Sequence, residues 1–201
     1  MEFQDVVRKR RMVRNFQDRP VPTDVLDRIL ENALHAPSAG FTQGWAFLVF
    51  DGSDETKRFW DVTFPWDRRQ GFRWPGLFQA PLIIVPLSSQ DAYLDRYAEP
   101  DKGFRDRNPD RWPVPYWHID TGFAALLMLQ TAVDAGLSAL FFGIFRPAEF
   151  RDAFGIPEAY TPIGAIAIGY PADDEPSPSL KRGRRSLDDV VHRGSWEGRS
   201  I

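Results

Sequence analysis

The chain has 201 residues, of which 43% are hydrophobic and 26% charged, and its net charge is −3. This length predicts a single domain over residues 1–201, and the near-neutral charge gives no global field that would attract nucleic acid or an anionic membrane. The absence of cysteine excludes disulfides, thiolate catalysis and cysteine-ligated metals. The 7 Trp and 16 Phe residues predict dense aromatic packing or flat ligands.

The first half of the chain contains two predicted helices and two predicted strands. Residues 2–9 form a short helix, and Pro22 leads into an amphipathic helix whose apolar residues recur at helical spacing. Residues 45–50 are predicted as a buried strand. Residues 82–87 are predicted as a strand near a sheet edge, because Pro86 cannot donate a hydrogen bond to a neighbouring strand.

Two segments lack a clear period, and a third is apolar throughout. Residues 59–78 are too aromatic for a linker and too broken for one long helix, so we predict a lid or substrate-pocket segment there. Residues 91–115 are charged and contain prolines, which predicts a long surface excursion. Residues 116–135 are apolar on every face, which predicts a central helix or a helix at a subunit interface.

The last third of the chain alternates short elements with turns. Residues 137–145 and 163–168 are predicted as strands, and the short helix between them begins at Pro147 and ends at Gly155. The Asp, Pro and Ser composition that follows predicts an extended C-terminal arm over residues 172–201. Since helices predominate over a few separated strands, we predict an α+β fold.

The predicted location is the cytoplasm. The amino terminus lacks the basic start and apolar run of a signal peptide. The longest apolar stretch, residues 122–129, falls short of the ~20 residues that span a bilayer, so no membrane partner is expected.

Three separated groups of residues carry the chemistry of the chain. Residues 8–14 contain five cations, and residues 181–185 contain four more. Arginine pairs bidentately with phosphate, which favours a phosphorylated cofactor, whereas a solvated helix end, a nucleic-acid patch or a basic tail is the alternative. Residues 37–40 are small and let backbone N–H groups approach a ligand, and Gln43 adds a donor and an acceptor; a helix end followed by a turn explains them equally.

Taken together, these residues resemble the nitroreductase family of flavin-dependent oxidoreductases. Arg10-Arg11-Met12-Val13-Arg14-Asn15-Phe16 is similar to the family's R-R-S-x-R-x-F start, and residues 36–45 are similar to its A-P-S-x-x-x-x-Q-P-W block. Residues 136–143 resemble the strand beneath the flavin, and residues 156–171 and 184–191 resemble the closing pattern. The resemblance covers nearly the whole chain.

The resemblance implies a three-layer fold with a small mixed sheet flanked by helices, a long central helix, and a C-terminal arm that reaches across a homodimer. It also implies FMN at the subunit interface, with NADH or NADPH as electron donor and no catalytic side chain, because hydride chemistry belongs to the flavin. The implied cofactor-binding residues are Arg10, Arg11, Arg14, Pro37, Ser38, Ala39, Gln43, Gly143, Ile144, Arg182 and Arg184. Those from Pro37 to Gln43 would come from the second subunit.

Three residues depart from the family pattern. Met12 stands where serine is common, Phe41 where polar residues are frequent, and Gly44 where proline is common. The predicted substrate pocket is aromatic and would favour a small aromatic or conjugated substrate. It consists of Phe41, Trp66, Phe72 and Trp74, for which dimer or core packing is the alternative interpretation.

No metal site is predicted, because the three histidines are too scattered to form one. Asp120 lies beside His118 on the predicted central helix, and a buried carboxylate at that position needs a partner. Two roles are open for Asp120: a structural one, or proton transfer to the reduced substrate.

The leading prediction is an FMN-dependent oxidoreductase that reduces a nitroaromatic, a quinone or a similar conjugated acceptor. Within the same superfamily, an enzyme that fragments flavin to dimethylbenzimidazole and a protein that binds deazaflavin in place of FMN are alternatives. A further alternative is a non-catalytic module that binds flavin, an acidic partner or nucleic acid through its basic runs.

Overall fold

The computed structural model describes residues 1–104, 106–173 and 175–196. Its α-helices are α1 (Phe3–Lys9), α2 (Thr23–Leu34), α3 (Ser53–Thr63), α4 (Trp66–Arg69), α5 (Gln90–Ala98), α6 (Tyr116–Asp134), α7 (Pro147–Phe154) and α8 (Leu187–Val190). Its strands are β1 (Trp45–Asp51), β2 (Leu82–Ser88), β3 (Ser138–Phe142), β4 (Thr161–Pro162) and β5 (Ala165–Gly169). Within the described ranges, no helix is long and apolar enough to cross a membrane.

The strands form one sheet in the order β1-β2-β5-β3, and the short β4 pairs with the end of β2. The predicted α+β class is confirmed, but the prediction of a mixed sheet is corrected, because the strand pairs are antiparallel. The parallel element is an isolated bridge between Met12 and Ala139, which places the segment after α1 beside β3.

Both faces of the sheet are buried, which confirms the predicted three layers. Leu82 and Ile84 of β2 face a core that includes Ile29 of α2 and Met128 of α6. The alternate residues of β2 face a second core, built largely from aromatic residues of α3 and α7 and from Phe50. The alternation follows from the two-residue period of a strand. The helix α6, predicted to be central, packs directly on the first of these cores.

The strand β2 lies inside the sheet, so its predicted place near an edge is wrong. The carbonyl of Pro86 accepts a hydrogen bond from the Ile163 N–H, at 3.1 Å. The N–H and C=O of one strand residue point toward the same neighbouring strand. The missing N–H of Pro86 therefore faces the break between β4 and β5 at Gly164, where the ladder needs no donor.

Two segments without a clear sequence period contain helices that pack into the core. Residues 91–115 include most of α5, whose Tyr93 is fully buried, so this segment is not only a surface excursion. The aromatic segment 59–78 begins inside α3, where Phe59 and Trp60 are buried in the core. Whether the rest of 59–78 acts as a lid stays a prediction.

The C-terminal arm is exposed along its described length. It contains a 3-10 helix, Pro178–Arg182, followed by α8, which begins with a capping box between Ser186 and Asp189. Leu180, Leu187 and Trp196 are 70%, 76% and 79% exposed. Asp174 and residues 197–201 of the predicted arm lie outside the described residues, and its reach across a homodimer stays a prediction.

Candidate functional site

The N-terminal arginines lie beside the edge strand β3. Arg10 ends α1, and two residues later Met12 bridges Ala139 of β3. The Val13 N–H donates to the Ala139 carbonyl at 3.2 Å, so this segment is hydrogen-bonded to β3. β3 then continues into Gly143 and Ile144. The structure thus brings the predicted arginines and the predicted flavin-facing backbone to the same edge of the sheet.

Arg10 carries an unsatisfied polar atom. Its Nη1 is buried and has no hydrogen-bond partner in the described part of the chain. An unpaired buried donor of a charged group is costly, so this atom favours an acceptor from outside the described residues, such as an anionic ligand. Arg14 lies close by and donates from Nη1 to the Met12 carbonyl at 3.2 Å, whereas Arg11 is exposed. An anionic group such as a phosphate fits this arrangement.

Gly143 leaves open space at the end of β3. A Cβ atom built on it would meet nothing within 4 Å, and its backbone is not in the left-handed region. Neither packing nor backbone conformation therefore requires glycine there. A side chain would occupy the open space over the backbone, so glycine suits the close approach of a flat ligand.

The loop of residues 37–43 has a strained backbone. Phe41 and Gln43 have φ angles of 54° and 53°, and they are the non-glycine residues with positive φ among those the structure describes. Such conformations cost energy and cluster at ligand sites. The Ser38 Oγ accepts the Gln43 N–H at 3.0 Å, which closes the loop on itself.

A buried carboxylate holds this loop in place. Asp120, 3% exposed, accepts the Ala39 N–H at 2.8 Å and the Tyr93 hydroxyl at 2.7 Å, both on Oδ2. Burial and the hydrogen bond to Asp120 raise the pKa of the Tyr93 phenol, which keeps it protonated as the donor. Asp120 therefore joins α6, α5 and the loop, which supports the structural role.

His118, the neighbour of Asp120 in sequence, has a different partner. Its Nδ1 lies 2.8 Å from the Oγ of the buried Ser88. Burial lowers the pKa of His118 and favours the neutral imidazole. Since each side chain is bonded elsewhere, no His118–Asp120 pair supports the alternative of proton transfer.

Helix α5 also explains two glycines of the loop. The Arg96 Nε donates to the Gly40 carbonyl at 3.0 Å, and a Cβ on Gly40 would lie 2.8 Å from a ring carbon of Tyr97. A Cβ on Gly44 would lie 2.6 Å from the ring of Tyr93. Since α5 packs directly against Gly44, the Cβ of a proline at this position would meet the same ring.

The two halves of the predicted cofactor site lie at opposite edges of the sheet. The loop leads into β1, at one edge, and the arginines flank β3, at the other. Three strand spacings separate these edges, roughly 14 Å at about 4.8 Å for each spacing. One chain therefore does not unite Arg10 with Ser38 and Gln43.

The remaining predicted cofactor residues are Arg182 and Arg184, in the arm. Both residues are exposed, and neither side chain forms a hydrogen bond or an ion pair with the residues that the structure describes. Within one chain they are not linked to the N-terminal arginines.

The residues of the predicted aromatic pocket are also divided between the arginine side and the loop side of the sheet. Phe72 and Trp74 lie on the arginine side: the Trp74 ring centroid is 5.1 Å from the Arg14 guanidinium, and Phe72 packs 6.0 Å from Trp74. Phe41 lies on the loop and is 78% exposed. Trp66 is 69% exposed and makes no ring contact with described residues. The structure brings together Phe72 and Trp74 but not all four residues.

No metal centre is found in the described ranges, where no group of three or more His, Asp or Glu residues could hold an ion.

Sequence reasoning missed the contribution of α5 to this site. Tyr93 and Arg96 were assigned to a surface excursion because prolines and charges dominate the later part of that segment. A local signal was present: the Ser89 hydroxyl accepts the Ala92 N–H as a helix cap, and Tyr93 and Tyr97 follow at helical spacing.

Replacing Asp120 tests its role in holding the loop. Asp120→Ala leaves the Ala39 N–H and the Tyr93 hydroxyl buried without an acceptor, so we expect a loss of about 2–4 kcal/mol in the free energy of unfolding. Tyr93→Phe removes the hydroxyl donor together with its hydrogen bond to Asp120, so we expect a loss of about 1 kcal/mol in the free energy of unfolding. Urea unfolding measures both. Equal losses for the two variants would contradict the proposed bridging of loop and helix.

Comparison with known proteins identifies the family and the fold. The model of the Nitroreductase family matches residues 7–66 and 63–170. A protein of Methanothermobacter thermautotrophicus named as an NADH dehydrogenase/NAD(P)H nitroreductase is 27% identical over 98% of this chain and 88% of its own length. A nitroreductase family protein from Clostridium difficile has the same fold, with a TM-score of 0.71 at 23% identity over 97% of this chain and 99% of that one. A nitroreductase in complex with FMN from Exiguobacterium sibiricum also has a TM-score of 0.71, at 21% identity over 96% and 97% of the two chains. The chain belongs to the nitroreductase family.

Proposed function

We propose that this protein is an FMN-dependent oxidoreductase that takes hydride from NADH or NADPH and reduces a nitroaromatic, quinone or similar conjugated acceptor. The observation that carries the proposal is the buried, unpaired Nη1 of Arg10 beside an edge strand that ends at the open Gly143. The relative from Methanothermobacter is named for NAD(P)H and nitroreduction, and the related structure from Exiguobacterium contains FMN.

The residues present fit FMN. Arg10 and Arg14 would hold the phosphate and the polar end of the cofactor, joined by Arg11, Arg182 and Arg184. Gly143 and Ile144 would offer backbone to the ring, and Gly143 has the open space that this requires. FMN supplies the hydride chemistry when bound, so the chain itself needs no nucleophile or general acid.

A homodimer would complete this site. The loop with Pro37, Ser38, Ala39 and Gln43 lies at the opposite sheet edge from Arg10, so a second copy would have to supply it. The helix α6 presents an apolar stripe that is between 36% and 43% exposed and suits a subunit interface. The stripe consists of Tyr116, Ile119, Phe123 and Leu126. A cytoplasmic location stays a prediction.

The visible spectrum of the purified protein tests the cofactor directly. We expect flavin bands, release of FMN on denaturation, and oxidation of NADH or NADPH when menadione or nitrofurazone is supplied. FMN release with steady turnover supports the redox proposal over a binding module. A protein that binds flavin but oxidises neither nucleotide with any acceptor would overturn it, and formation of dimethylbenzimidazole would favour the flavin-fragmenting alternative.

Arg10→Ala tests the anion site. Loss of a charge-assisted hydrogen bond costs about 1.5–3 kcal/mol, so the Kd for FMN should rise roughly 10- to 100-fold. Arg8→Ala is the matched control, since Arg8 is exposed in the same basic segment, and its Kd should change by less than about threefold. Fluorescence titration of the apoprotein with FMN measures both. Similar Kd values for the two variants would assign binding to the overall charge of the segment.

Phe123→Glu tests the dimer. A carboxylate in the apolar stripe of α6 would have to be desolvated at the interface, so the variant should become monomeric and lose FMN. Sedimentation velocity gives the mass, and the ratio of flavin to protein absorbance gives the FMN content. Glu31→Ala, an exposed change on α2, should leave both unchanged. A monomeric variant that retains FMN would refute a site shared between subunits.

A further inference from the structure

A second aromatic cavity lies far in sequence from the predicted pocket. It has a volume of about 230 Å³ and lies between α5 and the segment that leads into α6. Four aromatic rings line it: those of Tyr97, Phe104, Trp112 and Tyr116. None of these residues belongs to the predicted cofactor or substrate residues.

The rings form a connected set of walls. The Trp112 ring lies 4.6 Å from Tyr97 at an angle of 78° and 5.8 Å from Tyr116 at 62°. Tyr97 and Phe104 are nearly parallel, at 6.1 Å and 29°. Ring faces and ring edges are therefore both present around one space, and aromatic molecules pack against both.

The cavity has no uncompensated charge. Its charged lining residues, Asp106 and Arg111, are bonded to each other through two hydrogen bonds of 2.9 Å. The hydrogen bond from Arg111 lowers the pKa of Asp106, so both side chains stay charged and remain paired with each other. A charged ligand would find no counter-ion here. The hydroxyls of Tyr97 and Tyr116 make no hydrogen bond within the described ranges and are available to a polar substituent.

The volume limits the size of the ligand. A dry cavity of about 150 Å³ lined by apolar side chains binds benzene, and pockets for drug-sized molecules begin near 300 Å³. A cavity between these two values suits one ring or two fused rings.

We propose that this cavity is a binding site for a neutral, planar aromatic molecule of one or two rings that carries a polar substituent such as a hydroxyl, carbonyl or nitro group. The proposal rests on the ring walls, the closed Asp106–Arg111 pair and the volume of the cavity. The existence of the site does not depend on the proposed redox function.

One side chain, that of Tyr97, separates the cavity from the strained loop. Tyr97, one of its walls, packs against Gly40, and the preceding Arg96 donates to the Gly40 carbonyl. A ligand against Tyr97 is therefore one side chain away from the loop with Phe41 and Gln43. The bound molecule can be the electron acceptor itself or an effector that changes the conformation of the loop. In either case it is a neutral, planar aromatic molecule.

Calorimetric titration with 1-naphthol, which is planar, neutral and not reducible by a flavin, tests the site. Trp112→Leu removes a wall. Asn108→Phe places a ring in the cavity from an exposed lining position and also removes the Asn108 cap on the Asp110 N–H, so each variant should weaken binding about tenfold or more. Trp66→Leu makes the same substitution in the rival aromatic segment and should leave the Kd within about twofold. A crystal of the wild-type protein soaked in 1-naphthol should place the ring against Tyr97 and Trp112.

Three results would overturn the proposal: no binding to the wild-type protein, binding weakened by Trp66→Leu but not by the cavity variants, or a crystal with the ring elsewhere. Because this titration follows binding alone, its failure is distinct from a lack of FMN or of turnover.

Turnover measurements distinguish an electron acceptor from an effector in this cavity. With an aromatic quinone as acceptor and ferricyanide as a small inorganic one, an acceptor site predicts that the cavity variants raise KM for the quinone alone. An effector site predicts that 1-naphthol changes turnover with both acceptors and that this change is lost in the variants.

Discussion

The buried carboxylate of Asp120 is the contact on which the rest of the candidate site depends. One of its oxygens accepts a backbone N–H from the loop and a hydroxyl from α5, while Asp120 itself belongs to α6, which packs on the sheet core. Left-handed conformations at Phe41 and Gln43 persist only where the surroundings over-determine them. Asp120, the Arg96 bond to Gly40 and the close packing of Tyr93 on Gly44 supply those constraints. In the proposed cofactor site, a loop held in this way would present Ser38 and Gln43 without the cost of ordering them on binding.

The sheet imposes the second constraint. Because helices cover both faces, the edges and the strand ends are the places where a ligand can approach the strands. The arginine segment takes the edge at β3 and the loop leads into the strand at the other edge, so the predicted residues cannot meet in one chain. The unpaired Arg10 Nη1, the apolar stripe of α6 and the exposed arm are three signs of the same incompleteness. The proposed site, shared between two subunits, would explain all three together.

Sequence patterns predicted the helices whose formation depends on side chains within a single element. The amphipathic period of α2, the apolar surface of α6 and the Pro147–Gly155 boundaries of α7 each follow from the side chains within one element. The position of β2 did not, because the break in the ladder that accommodates Pro86 is made by residues near Gly164. The partners of Asp120 were equally hidden, since Tyr93 and Ala39 lie 27 and 81 residues away in sequence. The family resemblance implied that the residues from Pro37 to Gln43 would come from a second subunit, and their position at the sheet edge opposite the N-terminal arginines is consistent with that expectation.

The number of aromatic residues in a segment and the positions of their rings in the fold are different kinds of evidence for a ligand pocket. The same abundance of rings predicted a pocket in residues 59–78, yet Phe59 and Trp60 are core residues, and Phe72 joins Phe64 and Phe78 in a packed cluster. Rings that already pack on one another have little free surface for a ligand. The rings around Trp112 also contact one another, but a space of about 230 Å³ remains between them, and the charged residues that line it, Asp106 and Arg111, are paired with each other. Since Tyr97 contributes to both this cavity and the packing against the loop, substitutions of Tyr97 alter ring binding and loop geometry together.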